Sequence, residues 1–346
     1  MSNNCNSGRP SVFSEVVIQE LIGPLDYEPY ALAVGVRDHE PRALLEAACC
    51  FLTGNLVLPN ISRANELIGQ SIRAGSVDAK ALLGSLLVDS PTDFGRKPPI
   101  RSIKLLKDAA ESGHVAARVE FFRIVTQLGL DEYRPSAVKF LSQAARSNNS
   151  DALFEKGVLL TEDDSDETNR SHALKLFRAA AESGHADAAF NAGLIYVSAR
   201  RGIRNYRLAR TMFERAAAQG HAKAQYELGL LWDSPETLRR SGIEATSRDR
   251  FIRAAKYYRE SACNGFALGQ VNWGVCCVNG DGTRKQFRKA VSMYALASLQ
   301  GEPLGCQKLS QCLADGVGLA SNMEQSLRWG EYAAILERQR DKVNGS

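Results

Sequence analysis

The chain has 346 residues and is 44% hydrophobic, so it can bury a sizeable core. Its 43 Lys and Arg nearly balance its 39 Asp and Glu, and a net charge of +4 does not by itself indicate a nucleic-acid-binding protein. The sequence contains no run of eighteen apolar residues, and we therefore expect no transmembrane helix.

The N-terminal segment, residues 1–39, begins MSNNCNSGRPSVFSEVV. It has no apolar run after a basic start, which predicts no secretory signal. We expect residues 11–38 to add a capping helix or two. The eight cysteines are unevenly spaced and two pairs are adjacent in sequence, so reduced thiols in the cytoplasm are the simplest interpretation.

Residues 40–337 contain an internal repeat. The motif AAESGH occurs at 109–114 and 180–185, and AAAQGH follows at 216–221. A Gly or Asn, here called the anchor, recurs at intervals of 35 to 45 residues. The anchors are Gly75, Gly113, Asn148, Gly184, Gly220, Gly265 and Gly301. Gly and Asn accept the left-handed conformation that ends a helix, so each anchor predicts a helix end.

Residues of similar size recur at fixed distances from each anchor. The positions eleven and four before it hold Ala or Ser, and the position seven before it holds Ile, Leu, Phe or Tyr. Ala or Gly stands four after it, and Gly is the commonest residue nine after it. Spacings of three, four and seven place residues on one helical face, where small residues let antiparallel helices approach closely. Each repeat is therefore predicted to be helix A, a loop and helix B, with the anchor ending helix B.

Extrapolation extends the pattern to eight helical pairs. His39 stands 36 residues before Gly75, and Ser326 and Ala333 continue the helix B spacing at the other end. Three repeats depart from the pattern. Phe122 replaces the glycine of helix A, Gly330 stands where an aromatic residue is expected, and the repeat after Gly220 is longer, with RRSGIEATSRDR as the expected insertion. Residues 338–346 are predicted to be a flexible tail.

The spacing resembles that of tetratricopeptide repeats, but the loops are longer. Sixteen residues separate the helix A glycine Gly193 from the helix B alanine Ala209, whereas a 34-residue tetratricopeptide unit would allow about twelve. The extra residues form glycine-rich loops such as NGDGTRK at 279–285. The sequence therefore resembles the Sel-one-like repeat family. That resemblance implies a right-handed, all-α superhelical solenoid without cofactor or metal, acting as a scaffold or adaptor that binds a partner protein or peptide on its concave face.

By analogy with tetratricopeptide repeats, the positions three before, two before and one after the helix A glycine face the inner surface. In the middle repeats they hold an aromatic row of Phe154, Phe190 and Tyr226 and a polar row of Glu155, Asn191, Glu227 and Asn272. We predict that these seven residues bind a partner, which the Glu residues would favour as basic. The competing interpretation is that the aromatics only fill the groove and that the Glu residues are solvated.

Other candidate chemistries are weaker. Histidines 114, 185 and 221 follow anchors and are expected to be turn residues, and the cysteines at 263–312 contain no C-x-x-C zinc motif. Basic residues cluster at 201–210, 248–259 and 284–289, so an RNA-binding helical-repeat protein is the alternative, although no regular pair of side chains per repeat is present to read bases. No catalytic constellation can be assembled, and we predict that the protein is not an enzyme. The sequence leaves the partner's identity and the oligomeric state open.

Overall fold

The computed structural model describes residues 29–89, 100–162, 167–198 and 204–344. These ranges contain eighteen α-helices and one short 3₁₀ turn, and no strand occurs in them. The predicted all-α repeat fold is therefore confirmed. The chain divides into two compact units, with the boundary between Leu159 and Leu160.

The N-terminal unit contains one leading helix and three complete hairpins. Helix α1 (Pro29–Arg37) comes first. The hairpins are α2 (Pro41–Thr53) with α3 (Ile61–Arg73), α4 (Val77–Asp89) with α5 (Ile100–Glu111), and α6 (Val115–Gln127) with α7 (Arg134–Arg146). A 3₁₀ turn, Asp131–Tyr133, precedes α7, and α8 (Ser150–Thr161) is helix A of the fourth repeat. Of the predicted N-terminal capping region, residues 11–28 lie outside the described residues.

The C-terminal unit begins with the helix B of the fourth repeat, α9 (Glu167–Glu182). Four hairpins follow: α10 (Ala186–Ser198) with α11 (Tyr206–Ala218), α12 (Ala222–Asp233) with α14 (Ser247–Cys263), α15 (Ala267–Asn279) with α16 (Phe287–Leu299), and α17 (Pro303–Asp315) with α18 (Met323–Asn344). A short helix, α13 (Pro235–Arg240), lies in the connection of the sixth repeat. The predicted eight A–B pairs thus follow one another along the chain.

Every anchor has the predicted left-handed backbone. The φ angles range from +58° at Asn148 to +97° at Gly113, and the extrapolated anchor His39 also has a φ of +58°. At Gly113 the amide donates to the carbonyl of Ala110, and the next amide, of His114, donates to Ala109, both at 3.1 Å. This pair of bonds is a Schellman motif, and it ends helix B while turning the chain into the next helix A.

The small and bulky positions of helix B are all buried, as the spacing predicts. From Ala64 to Ala297, the residues eleven, seven and four before the anchors are at most 2% exposed. Where Ser replaces Ala, its hydroxyl donates to a carbonyl of the neighbouring helix. These bonds join Ser71 to Pro41 at 2.6 Å, Ser102 to Gly84 at 2.6 Å and Ser261 to Ala222 at 2.8 Å. The buried hydroxyls are therefore satisfied without widening the contact.

The helix A glycine makes room for the bulky residue of helix B. A Cβ atom placed on such a glycine would overlap the side chain that faces it. The facing pairs are Gly84 with Leu106, Gly193 with Phe213, Gly229 with Tyr258, and Gly274 with Tyr294. Glycine within a helix costs about 0.5–1 kcal/mol relative to alanine, so its recurrence here reflects the close approach of the two helices.

The A-to-B loops are closed by a hydrogen bond that also recurs. The residue before helix B donates its amide to a carbonyl near the end of helix A: Asn60 to Phe51 at 2.9 Å, Asn205 to Tyr196 at 2.9 Å, Gln286 to Cys277 at 2.8 Å and Asn322 to Leu313 at 2.8 Å. The three Asn side chains also cap helix B by accepting an amide three residues later. The loops that distinguish this repeat from a shorter one are thus ordered by local bonds.

One of the departures exchanges residue sizes. In the last repeat Gly330 takes the bulky position, and Ser310 takes the place of the helix A glycine. The Ser310 hydroxyl donates to the Ser326 carbonyl at 2.7 Å, and the Ser326 hydroxyl donates to the Ser310 carbonyl at 2.8 Å. In the third repeat Phe122 is buried in one cluster with Leu141.

The insertion of the sixth repeat begins earlier than predicted. It starts at Ser234, whose hydroxyl caps the short helix α13 by accepting the amide of Thr237 at 3.3 Å, and Pro235 follows in the first turn. Residues 247–250, expected to belong to the insertion, already form the first turn of α14, because Thr246 caps that helix. Leu238 is 2% exposed and fixes the insertion to the core of the C-terminal unit.

The C-terminal helix is longer than predicted. Helix α18 extends to Asn344, so residues 338–344 continue it where the sequence predicted a flexible tail. The segment RQRDKVN contains neither Gly nor Pro, and its Arg, Gln and Lys residues favour helix. The helix continues because nothing in this segment terminates it.

We expect Gly193→Ala to lower the free energy of unfolding by about 1–3 kcal/mol, because the added methyl overlaps the buried Phe213 ring. The matched control is Gly330→Ala in the same unit, where the nearest atom to the new Cβ is Ser310 Oγ at 3.5 Å, an ordinary contact. That variant is expected to be neutral or stabilising by up to about 1 kcal/mol. Urea denaturation measures both. Equal effects of the two substitutions would contradict the close-approach explanation.

Candidate functional site

The histidines that follow the anchors cap the next helix A. In His114, His185 and His221 the Nδ1 atom accepts the amide three residues later, at 3.0, 3.2 and 3.0 Å. The Nε2 atom of His221 also lies 3.0 Å from the Asp187 carboxylate on the preceding helix A. That hydrogen bond lowers the pKa of Asp187. The histidines therefore shape and connect the turns, in agreement with the turn role expected from their position.

The aromatic row is partly used in packing between repeats. Phe190 is half-buried and stacks on the ring of His221, with centroids 4.6 Å apart. Tyr226 is also half-buried and meets the edge of Phe266 at 5.3 Å. Each ring thus reaches from its own helix A to the residue after the next anchor. Phe154, in the N-terminal unit, is half-buried on α8. Only part of each ring is available to a partner.

The polar row is neutralised inside the N-terminal unit. Arg123, one residue after Phe122 on α6, donates from Nε to the Glu155 carboxylate at 2.6 Å. The Glu120 and Asp151 carboxylates lie 3.8 Å from the same guanidinium. Glu155 therefore already has a cationic partner within the protein. The sequence did not reveal this ion pair, because its two members stand 32 residues apart.

In the C-terminal unit the polar row is different. Asn191, Glu227 and Asn272 stand on α10, α12 and α15, three successive A helices, and all three are half-buried. Burial raises the pKa of the Glu227 carboxyl. Among the residues that the structure describes, none forms a hydrogen bond or ion pair with that side chain. Asn272 lies close enough to the Tyr258 hydroxyl to lower its pKa, although burial raises that pKa overall. The arrangement is a half-buried carboxylate between two amides.

An apolar row accompanies the polar one in this unit. The residues directly after the helix A glycines are Leu194, Leu230 and Val275. The two leucines are each 37% exposed, and Val275 is half-buried. These side chains were not among the named contact residues. The sequence marks these three residues only by their position directly after the helix A glycine.

A cavity of about 260 Å³ lies where α15 and α17 meet, next to the last member of the apolar row. Its lining combines apolar and polar side chains. The lining residues are Val275, Val278, Asn279, Tyr294, Lys308, Gln311, Cys312, Asp315 and Val317. The sequence could not indicate this cavity, because two helices about thirty residues apart enclose it and its volume depends on how their side chains pack.

The buried cysteines take part in packing. Burial raises the pKa of both Cys49 and Cys276 to about 12, so these thiols are protonated at neutral pH. In the described ranges no group of three His, Cys, Asp or Glu side chains is placed to hold a metal ion. Nor is any helix in those ranges both long and apolar enough to span a membrane.

Several residues of the basic clusters are engaged within the fold. The guanidinium of Arg253 lies 4.6 Å from the ring centroid of Trp232, and Arg250 Nε donates to the Trp232 carbonyl at 3.3 Å. Arg210 lies 3.6 Å from the Glu214 carboxylate, and Lys256 lies 3.9 Å from that of Glu260. The RNA-binding alternative gains no support from these contacts. Residues 201–203 of the first cluster lie outside the described residues.

Six segments of the chain match the model of the Sel1 repeat family and together cover more than half of it. They are residues 41–76, 154–185, 186–221, 222–266, 267–302 and 303–336. The two repeats between residues 77 and 153 are not matched, and one of them carries Phe122 in place of the helix A glycine. The chain matches no curated protein.

Two solved structures share the fold. One is c5321, a protective antigen present in uropathogenic Escherichia coli strains that displays an SLR fold; it is 20% identical, with a TM-score of 0.67 over 89% of this chain and 67% of that one. The other is a Sel1 repeat protein from Oxalobacter formigenes, 24% identical, with a TM-score of 0.59 over 73% of this chain and 96% of that one. At these identities the likeness concerns the fold.

We expect His221→Ala to lower the free energy of unfolding by about 1 kcal/mol, because the amide of Ala224 loses its cap. His221→Asn keeps a side-chain oxygen that can accept this amide, and its loss should be smaller. Urea denaturation of both variants, monitored by circular dichroism, provides the comparison. An equal loss for Ala and Asn would show that the cap does not matter and that the loss comes from the other contacts of His221, with the Phe190 ring and the Asp187 carboxylate.

Proposed function

This chain belongs to the Sel1 repeat family, and we propose that it is an adaptor that binds a basic segment of a partner protein on the A-helix face of its C-terminal unit. Proteins with Sel1 repeats are generally interaction scaffolds. The observation that carries the proposal is Glu227, a half-buried carboxylate with a raised pKa and no partner among the described residues. Glu227 stands on the middle one of three successive A helices, and we therefore place the centre of the proposed site there.

A partner's Lys or Arg would satisfy Glu227. A carboxylate that is partly removed from water and has no hydrogen-bond donor is unfavourable, which is why burial raises the pKa of this group. A cation brought by a ligand restores the lost interaction, and a hydrogen bond to a charged group contributes about 1.5–3 kcal/mol. Binding of such a ligand would also lower the pKa of Glu227, because a nearby positive charge favours the ionised form.

The neighbouring side chains suit an extended peptide. Asn191 and Asn272 stand one repeat before and after Glu227, and an Asn amide can accept from a peptide N–H and donate to a peptide carbonyl. Leu194 and Leu230 offer exposed apolar surface beside this row. The partly exposed rings of Phe190 and Tyr226 could pack against the stem of a basic side chain, with a cation–π contribution.

The N-terminal unit contributes less to the proposal. Phe154 and Glu155 belong to the same predicted rows, but Arg123 already pairs with Glu155. A basic ligand there would compete with an internal guanidinium. We therefore assign the recognition of positive charge to Glu227, and Phe154 and Glu155 stay predicted contact residues of the N-terminal unit.

The proposed role is binding without catalysis. The proposed location is the cytoplasm. Recognition by these rows uses hydrogen bonds, charge and apolar contact and requires no cofactor. Among the described cysteines, Cys49, Cys276, Cys277, Cys306 and Cys312 are free and buried. Free buried thiols are typical of proteins in reducing compartments, which supports the cytoplasmic placement.

Selection from a random peptide library displayed on phage tests the proposal with the purified full-length chain. We expect the selected peptides to be enriched in Lys or Arg. Glu227→Lys should select peptides enriched in Asp or Glu instead, and it should weaken binding of a wild-type-selected peptide about 10- to 100-fold, in line with 1.5–3 kcal/mol for a charged hydrogen bond. Glu244→Lys, the same change at an exposed residue of the insertion, is the control.

The circular dichroism spectrum and melting temperature of each variant establish that the fold is retained. Selected peptides with no charge preference, or peptides that bind wild type and Glu227→Lys equally, would contradict the proposal. Loss of binding in the Glu244→Lys control as well would attribute the effect to net charge and not to the site.

A further inference from the structure

The cavity between α15 and α17 extends the proposed surface by one more recognition element. The two helices are the A helices of successive repeats, and the cavity lies on the side of α15 that carries Val275, the last member of the apolar row. Lys308, on α17, stands two residues before Ser310 and so takes the polar-row position of its repeat, as Glu227 and Asn272 do in theirs. The lining of the cavity therefore includes one residue at the apolar-row position, Val275, and one at the polar-row position, Lys308.

The cavity has the size and lining of a pocket for one aliphatic side chain. Its volume is about 260 Å³, below the 300–1,000 Å³ of pockets that hold drug-sized ligands. Val275, Val278 and Val317 supply apolar walls, and the buried Cys312 and Tyr294 lie at the base. Burial raises the pKa of Cys312, so its thiol is protonated and adds no charge to the base at neutral pH.

The rim carries one charge of each sign. Lys308 and Asp315 stand seven residues apart on α17, which corresponds to about 10 Å along a helix. The Asp315 carboxylate and the Lys308 ammonium both influence the pKa of Cys312, so both lie near the cavity. Within the described part of the chain neither side chain forms an ion pair. Gln311, between them on the exposed side, supplies a donor and an acceptor for a peptide backbone.

We propose that this cavity binds an aliphatic side chain of the partner peptide, and that an acidic residue next to it pairs with Lys308. The inference rests on the proposed function, of which it names a second contact. Asp315 at the other end of the rim repels a carboxylate, so the acidic residue is held at the Lys308 end. The pocket thus recognises a pair of neighbouring ligand residues, one aliphatic and one acidic.

The positions of Glu227 and Lys308 also set a spacing for the ligand. They lie on α12 and α17, two repeats apart. Packed helices lie about 8–10 Å apart, so the two charges are separated by roughly 20 Å. An extended peptide advances about 3.3 Å per residue, and it covers this distance in about six residues. The ligand therefore carries a basic residue about six positions from its acidic residue.

Three blocked dipeptides test the pocket without requiring the rest of the groove. The probes are acetyl-Leu-Asp-amide, its uncharged isostere acetyl-Leu-Asn-amide, and acetyl-Ala-Asp-amide, which lacks the aliphatic side chain. Their binding to the full-length chain is measured by ligand-detected NMR titration. We expect millimolar binding of acetyl-Leu-Asp-amide and at least about fivefold weaker binding of each of the other two, since one charged hydrogen bond or one buried side chain is lost.

Two variants locate the binding. Lys308→Glu should remove the preference for Asp over Asn, and Val278→Phe should fill the cavity and weaken acetyl-Leu-Asp-amide more than about tenfold. The matched controls are Arg288→Glu, an exposed residue of α16, and Val197→Phe, which holds the same repeat position on α10 as Val278 does on α15. Both controls should bind the probe as wild type does. Melting temperatures verify that each variant is folded.

The outcomes separate this inference from the proposed function. No probe binding at concentrations up to tens of millimolar, or binding that is unchanged by Val278→Phe, would overturn the pocket. So would equal affinity for the Asp and Asn probes. The proposed binding of a basic segment at Glu227 would not be affected by these results. Conversely, probe binding that depends on Lys308 and Val278, together with a library that shows no dependence on Glu227, would support the pocket and reject the basic end of the groove.

Discussion

The close approach of helix A and helix B within each repeat is the constraint on which the structure depends. A ring or branched side chain of helix B occupies the space where helix A would carry a Cβ, and alanines or serines on both sides complete the contact. A single hairpin of this size buries too little surface to fold alone, so stability comes from repeating the contact along the chain. The exchange at Ser310 and Gly330 preserves the rule by moving the small residue to the other helix.

This packing also determines where recognition can occur. The face of helix A that carries the glycine is occupied by helix B. The positions two before and one after the glycine are buried in the second repeat, at Leu82 and Ser85, but not in the C-terminal unit. In the C-terminal unit those positions hold Asn191, Glu227 and Leu230, which are partly exposed. The histidine after an anchor connects successive A helices through Phe190 and Asp187, so the spacing of the rows is fixed by packing. The fold therefore presents a preorganised surface, which limits the entropy lost on binding.

Much of the fold could be predicted from the sequence because its determinants are local and repeated. The left-handed anchors, including His39, follow from residue spacing, and each is confirmed by its φ angle. The site was less predictable. The Arg123–Glu155 ion pair joins residues of different repeats, and the cavity beside Lys308 depends on how two helices pack, so neither has a periodic signal. The extension of α18 to Asn344 was missed because helix continuation requires only the absence of a terminator.

A double-mutant cycle between Gly229 and Tyr258 tests the central constraint most directly. Gly229→Ala and Tyr258→Leu are measured singly and together by urea denaturation. If the ring fills the space of the missing Cβ, the alanine should cost about 1–3 kcal/mol beside Tyr258 and much less beside the smaller leucine, with a coupling above about 1 kcal/mol. Additive effects, within about 0.5 kcal/mol, would show that the glycine and the ring are independent and would contradict the account.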